Sequence, residues 1–187
     1  MNQISEKLAQ SLSQLKQLQD KGAVALQSKM LERGDRERLT KHGFIREVMR
    51  GWYIPSSPDQ KKGDSTAWYT SFWDFCADYL NERLEENWCI SPEQSIQIHI
   101  GDKTVPTQLL VRSPKGRNKP TDLIHSTSVF DIRTALPSPQ QRTIVDGLRV
   151  YSVASSLVHC SKTCFSHKPI AMSTLLSMIT DASAVLA

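Results

Sequence analysis

The residues of this chain best equipped for chemistry are cations. From Lys21 to Arg50 the bases Lys21, Lys29, Arg33, Arg36, Arg38, Lys41, Arg46 and Arg50 stand against Glu32, Asp35, Glu37 and Glu47, so eight minus four gives +4, the whole formal excess of the protein. Guanidinium forks can pair with guanine edges in a DNA major groove, and lysine ammonium groups can contact phosphate. The chemistry on offer is therefore recognition of a duplex. Arg36, Arg38 and Lys41 are expected on the exposed side of a short reading helix, with Lys29 and Arg33 ahead of it. Arg46 and Arg50 are expected on a hairpin beside the backbone or the minor groove. The same charges also suit a solvated face on a small helical domain, or a protein-docking unit, and the residues alone leave these readings open.

The elements that must position these cations follow from spacing. Ala25 to Leu31 carries Leu26, Met30 and Leu31 at helical spacing and predicts the first helix of a helix-turn-helix. Gly34 breaks the pattern, and Asp35 is expected to cap a second short helix that ends at Gly43. Phe44, Ile45 and Val48, the turn at Gly51, and Trp52, Tyr53 and Ile54 stopped by Pro55 predict a β-hairpin. Alternation lets one of Trp52 and Tyr53 face the core; Tyr53 is expected inside near Ile45, with Trp52 partly exposed. Ahead of all this, Ile4, Leu8, Leu12, Leu15 and Leu18 recur at helical spacing, so the chain is expected to begin with a helix closed by Asp20 to Gly22.

Beyond the hairpin, SSPDQKKGDST has no large apolar residue and reads as a linker. A long helix is expected from Thr66 to Asn87, with Trp68, Phe72, Phe75, Cys76, Tyr79, Leu80 and Leu84 as a core-facing stripe. Strands are expected at Ser95 to Ile100, Gln108 to Val111, Leu123 to Ile132 and Thr143 to Tyr151, and helices at Val153 to His159 and Ile170 to Ile179. The fold class is α+β: a winged helix-turn-helix in residues 1–57, then a small mixed or antiparallel sheet with helices in residues 66–187. The 187 residues suffice for both units. No apolar run approaches a membrane span and the N-terminus has no signal-peptide core, so a cytoplasmic protein with no membrane partner is expected. The apolar ending ASAVLA reads as an interrupted element.

Other clusters are weaker. Cys160, Cys164 and His167, with His159 adjacent, all fall in one stretch, whereas a structural zinc site draws ligand pairs from separated segments; no metal or other cofactor is expected. Cys76, Cys89, Cys160 and Cys164 read as reduced thiols. Asp122, His125, Ser126, Ser128 and Asp131 crowd one strand-like segment whose side chains alternate between faces, which does not make a triad. With no phosphate-binding glycine loop and no GxSxG elbow, the chain is expected not to be an enzyme. Lys115, Arg117 and Lys119 form a second basic loop, expected to be a solvated turn.

The string LTKHGFIREVMRGWYIP resembles the Gly-hydrophobic-Ile-Arg-x-x-x-Arg-Gly-aromatic-Tyr signature that closes the winged helix of AbiEi-type antitoxins, through Gly43, Ile45, Arg46, Arg50, Gly51 and Tyr53. The stretches SIQIHIGDKTVPTQLLVRSP and GLRVYSVASSLVHCSKTCFSHKPIAMSTLLSMITD resemble the body of a related group in which this module precedes a Fic domain. The His-x-Phe-x-acid-Gly-Asn-Gly-Arg stretch that carries Fic catalysis is not in the chain. The resemblance implies a DNA-binding regulator that represses its own operon at inverted repeats and controls a partner toxin; because Asp35 and Glu37 temper the positive field, tight binding is expected to need two copies on a symmetric site, and the first helix could serve a homodimer. The alternative it implies is a regulatory, protein-interacting part of a larger Fic-type protein.

Overall fold

The computed structural model describes residues 3–61 and 63–180, with side chains from Glu6 onward. The expectations for Ile4, Lys62 and the ASAVLA ending concern side chains or residues outside that description. The chain is mixed α+β and forms two compact units, Met1–Tyr79 with Leu123–His125, and Leu80–Asp122 with Ser126–Ala187. The division falls inside a helix, between Tyr79 and Leu80, rather than in the polar stretch after the hairpin.

In the first unit, α1 (Gln3–Asp20) is followed by β1 (Leu26–Gln27), a 3-10 turn (Ser28–Met30), α2 (Arg33–Lys41), β2 (Ile45–Met49) and β3 (Trp52–Pro55). The helix expected over Ala25 to Leu31 is thus a short strand and a 3-10 turn. The reason is pairing: Leu26 and Gln27 lie opposite Tyr53 and Trp52, giving a sheet of order β1-β3-β2. Nor does Gly34 break α2, which starts at Arg33 behind Glu32. Asp35 is no cap, because its side chain is buried within the helix. Gly43 does end α2, with φ of +76°, and Gly51 turns the hairpin at +81°; both are left-handed values that glycine adopts without a Cβ penalty.

Leu15, Leu26, Leu31, Leu39 and Ile45 form the core between α1, α2 and the sheet, joined by Leu12, Leu18, Phe44 and Tyr53. Tyr53, opposite Glu47 on β2, packs against the cluster that contains Ile45 but is only half-buried, and Trp52 is half-buried too. Trp52 is nevertheless covered on its own face, with its ring edge-on to Phe75 and Tyr79 at 6.0 and 5.3 Å between centroids. Both faces of β3 are therefore packed, a possibility that alternation alone does not reveal. The covering aromatics lie on α3 (Thr66–Leu84), whose stripe Trp68, Phe72, Phe75, Cys76, Tyr79, Leu80 and Leu84 is buried as expected.

The second unit holds a four-stranded mixed sheet, ordered β4-β5-β7-β6, from β4 (Cys89–Ile90), β5 (Gln108–Ser113), β6 (Lys119–Asp122) and β7 (Ser128–Arg133). β5 and β7 run parallel and the outer pairs antiparallel. Three expected strands fail, the last of them by folding back into a hairpin. Ser95 to Ile100 lies in a helix, α4 (Pro92–His99), because Ser91 caps it by accepting from the Gln94 amide at 3.3 Å and Pro92 occupies its first turn. Ser95, Ile96, Gln97 and Ile98 are all buried, so the apparent alternation marked no solvent face. Leu123 to Ile132 is interrupted: His125 and Ser126 adopt φ of 54° and 56°, and β6 and β7 pair across the bend, Asp122 opposite Ser128. Pro120 is tolerated because β6 is an edge strand.

The strand expected over Thr143 to Tyr151 is instead a hairpin: the chain turns at Asp146 and Gly147, whose φ values are 48° and 78°, and β8 (Arg142–Val145) pairs with β9 (Leu148–Tyr151). Helices α5 (Val153–His159), α6 (Lys162–His167) and α7 (Pro169–Ser177) close the described chain. Ile96, Leu157, Cys164, Ala171, Met172 and Leu175 pack together in their core. Among the described residues no helix is long and apolar enough to cross a membrane.

Candidate nucleic-acid interface

The cations singled out in the sequence divide into two kinds once their partners are known. Arg38, expected on an exposed reading face, instead turns toward α1. Its guanidinium pairs with the Asp35 carboxylate, and its Nε donates to the Ser11 hydroxyl at 3.0 Å. Ser11 in turn donates to Asp35 Oδ1 at 2.7 Å, and Ser11 and Asp35 are 0% and 5% exposed. This triangle bolts α1 to α2. Arg46 is likewise committed: Nη1 donates to the Asp64 carbonyl at 2.9 Å and Nη2 reaches Gln60 Oε1 at 3.4 Å. Together with Ser56, which donates through its amide to Phe44 O and its hydroxyl to Gly43 O, it ties the polar stretch after β3 to the hairpin. Arg46→Ala is expected to speed limited proteolysis between Ser56 and Lys61 several-fold while leaving other cleavages unchanged; an unaltered digestion pattern would show that this tie holds nothing.

The remaining cations face outward to different degrees. Lys41 at the end of α2, Lys29 in the 3-10 turn and Arg50 at the hairpin tip are exposed. Arg33 is exposed and pairs with Glu37 one turn on at 2.8 Å, a solvated pair that contributes little to stability. Arg36 is half-buried: Nη1 donates to Ser28 O at 2.8 Å while its cation lies 6.0 Å from the centre of the Tyr53 ring. That leaves it held in one direction with donors to spare. The Gly51 amide donates to Glu47 Oε1 at 3.1 Å, and the β2–β3 register shifts between Glu47 and Met49; such a bulge re-aims the strand that leads to Arg50.

Asp35 has a consequence for pH. The Ser11 hydroxyl, and after it the Arg38 guanidinium, hold its carboxyl below the ordinary aspartate range, against burial. A depressed folded pKa adds stability above the unfolded value, about 4, and that stability is lost as pH falls through the lower folded value. Asp35→Asn is accordingly expected to cost about 1.5–3 kcal/mol at pH 7, the worth of a charge-assisted hydrogen bond. The gap to the unsubstituted protein should narrow by pH 3 in urea titrations; a constant gap would mean that the carboxylate charge is not what matters.

The other clusters do not assemble. Asp131 is wholly buried, pairs with Arg83 and accepts from the Arg117 amide at 2.8 Å. Ser128 Oγ accepts from Gln108 Nε2, and the His125 ring lies by Tyr69. Among the described residues no three His, Cys, Asp or Glu side chains gather as a metal site would require. Partial burial pushes the Cys160 thiol up to about 11, the opposite of the lowered value that marks a reactive thiolate. Of the second basic loop, Lys115 pairs with Glu85 at 2.9 Å and Lys119 opens β6. Two arginines that sequence reasoning passed over, Arg142 and Arg149, converge on one face of the β8–β9 hairpin. The signal was available in RTIVDGLRVY, where alternation about a two-residue Asp-Gly turn puts both on the same side.

Family models, curated proteins and solved structures yield no match to this chain.

Proposed function

We propose that the first unit is a winged helix that binds double-stranded DNA, and that the protein is a transcriptional regulator of the AbiEi antitoxin kind. The observation that carries the reading is the order of elements. A helix, a short strand, a second short helical turn, a third helix and a hairpin follow one another, and the short strand pairs with the returning arm of the hairpin in the order β1-β3-β2. In such an arrangement α2 is the reading helix and the hairpin is the wing. Arg33, Arg36 and Lys41 on α2 are the contacts to bases and adjoining phosphates, and Lys29 and Arg50 are contacts to the backbone. Arg38 and Arg46 support these elements from within.

The test is binding of the purified chain to the DNA upstream of its own gene. Two copies are expected on inverted half-sites about one helical turn apart, or a multiple of it. A duplex carrying a single half-site should bind more weakly. Equal binding to both duplexes would contradict the dimeric arrangement, and binding to neither would remove the reading itself.

A second reading, as a regulatory module for a toxin or a Fic domain, is favoured by one observation. Val158, Phe165, Ile170, Leu176 and Met178 on and after α5–α7 are large, apolar and between 44% and 82% exposed, a concentration that suits a protein partner.

A further inference from the structure

The β8–β9 hairpin turns through Asp146 and Gly147, whose φ values are 48° and 78°. Its register sets Arg142 opposite Tyr151 and Ile144 opposite Arg149, and in a strand alternate residues share a face. A pocket of about 200 Å³ opens there, lined by Arg142, Arg149, Thr143, Ile144, Pro139 and Glu86. Arg142 Nη1 and Arg149 Nε are buried and have no hydrogen-bond partner among the described residues. Glu86, the acid in that lining, is 3.9 Å from Arg149 Nη2 on a side chain that is 86% exposed. That is a distant and solvated partner. Arg112, with its cation 5.6 Å from the centre of the Tyr151 ring, is a third guanidinium close enough, with Arg142 and Arg149, to act on the buried Cys89 thiol.

A buried donor without an acceptor is costly, and a guanidinium cannot relieve the cost by losing its proton. An acceptor that enters the pocket can do so, and an anion does it better than water because it also neutralises the two cations. A carboxylate would be satisfied by one fork. A terminal phosphate presents three acceptor oxygens and nearly two negative charges, which matches two forks opposed by a single exposed carboxylate. Pro139 and Ile144, the latter 59% exposed, supply an apolar shoulder for an attached organic group. We propose that this pocket of the second unit binds the terminal phosphate of a small phosphate monoester through Arg142 and Arg149. The site is independent of the DNA reading, whose residues all lie in the first unit.

The experiment is thermal unfolding of the full chain in inorganic phosphate, a nucleoside 5′-monophosphate or the parent nucleoside, each against chloride at matched ionic strength. A ligand that binds only the folded state raises the melting temperature with its concentration. Inorganic phosphate and the monophosphate should raise it along a saturating curve, and the nucleoside should not. Arg142→Met and Arg149→Met should abolish the rise and, without phosphate, melt no lower than the unsubstituted protein, because each removes an orphaned donor; Lys119→Ala should keep the rise. A rise of equal size in chloride, or one that persists in both methionine variants, overturns the proposal, and a rise with inorganic phosphate alone overturns the ester. Should either variant fail to fold, arginine modification by phenylglyoxal on the unsubstituted protein decides. Phosphate should protect Arg142 and Arg149 but not Arg50, and equal labelling with and without phosphate overturns the site.

Discussion

Replacing Arg83 with methionine is expected to lower folding stability by about 3–5 kcal/mol, the loss typical when one partner of a buried ion pair is removed and the other charge stays behind. The charge left behind is Asp131, 0% exposed in the second unit's sheet, while the Arg83 side chain is 18% exposed. The Asp131 amide-binding role makes the loss hard to absorb. Its Oδ2 accepts from the Arg117 amide, its carbonyl accepts from the Asn118 amide, and Asn118 Oδ1 accepts from the Arg133 amide, so the loop over it is latched at three points. That loop has no slack, since a Cβ at Gly116 would lie 2.6 Å from Arg133 N. Urea titration followed by circular dichroism checks the value, and combining Arg83→Met with Asp131→Asn should recover part of it. A loss below about 1 kcal/mol, the range of an exposed pair, would mean that solvent reaches Asp131.

The second large effect distinguishes reading residues from bracing residues within the same basic stretch. Arg33→Ala with Arg36→Ala is expected to weaken binding to the preferred duplex by about 1–3 kcal/mol per lost bidentate contact and to relax sequence preference. Thermal stability should fall little for Arg33, which pairs with the exposed Glu37. Arg38→Ala should do the reverse: the Ser11–Asp35–Arg38 triangle opens and the protein loses stability, while DNA affinity of the folded fraction changes little. Fluorescence anisotropy with a matched and a scrambled duplex, beside melting curves, separates the two. If Arg38→Ala abolished binding without altering the melting temperature, the inward placement of that side chain would not describe the protein in complex.

Much of the architecture could be read from the chain because its signals were long or backed by glycine. The aromatic stripe of α3 runs over five turns, and Gly43 and Gly51 sit where the backbone turns left-handed. What escaped depended on tertiary pairing. Leu26 and Gln27 have helical neighbours by spacing, yet two residues suffice for a strand when β3 offers an open edge. In α4, the Ser91-Pro92 start signal outweighed an alternation of three isoleucines, because burial on several sides leaves periodicity uninformative. The roles of the arginines were least legible. A run of bases looks uniform in sequence, and only the positions of Ser11, Asp35, Gln60 and Asp64 divide it into residues that brace and residues that face outward.

The most direct test of DNA binding is the salt dependence of affinity for the upstream region, measured for the unsubstituted chain, Lys41→Ala, Arg50→Ala and the pair. Each phosphate contact releases condensed counterion, so the logarithm of the binding constant should fall linearly with the logarithm of salt concentration, by about 0.9 per contact. Lys41→Ala and Arg50→Ala are each expected to flatten the slope by about one unit and to weaken all duplexes alike, and the pair to do so additively. A slope near zero, or one unmoved by either substitution, would contradict a DNA interface built on α2 and the β2–β3 hairpin.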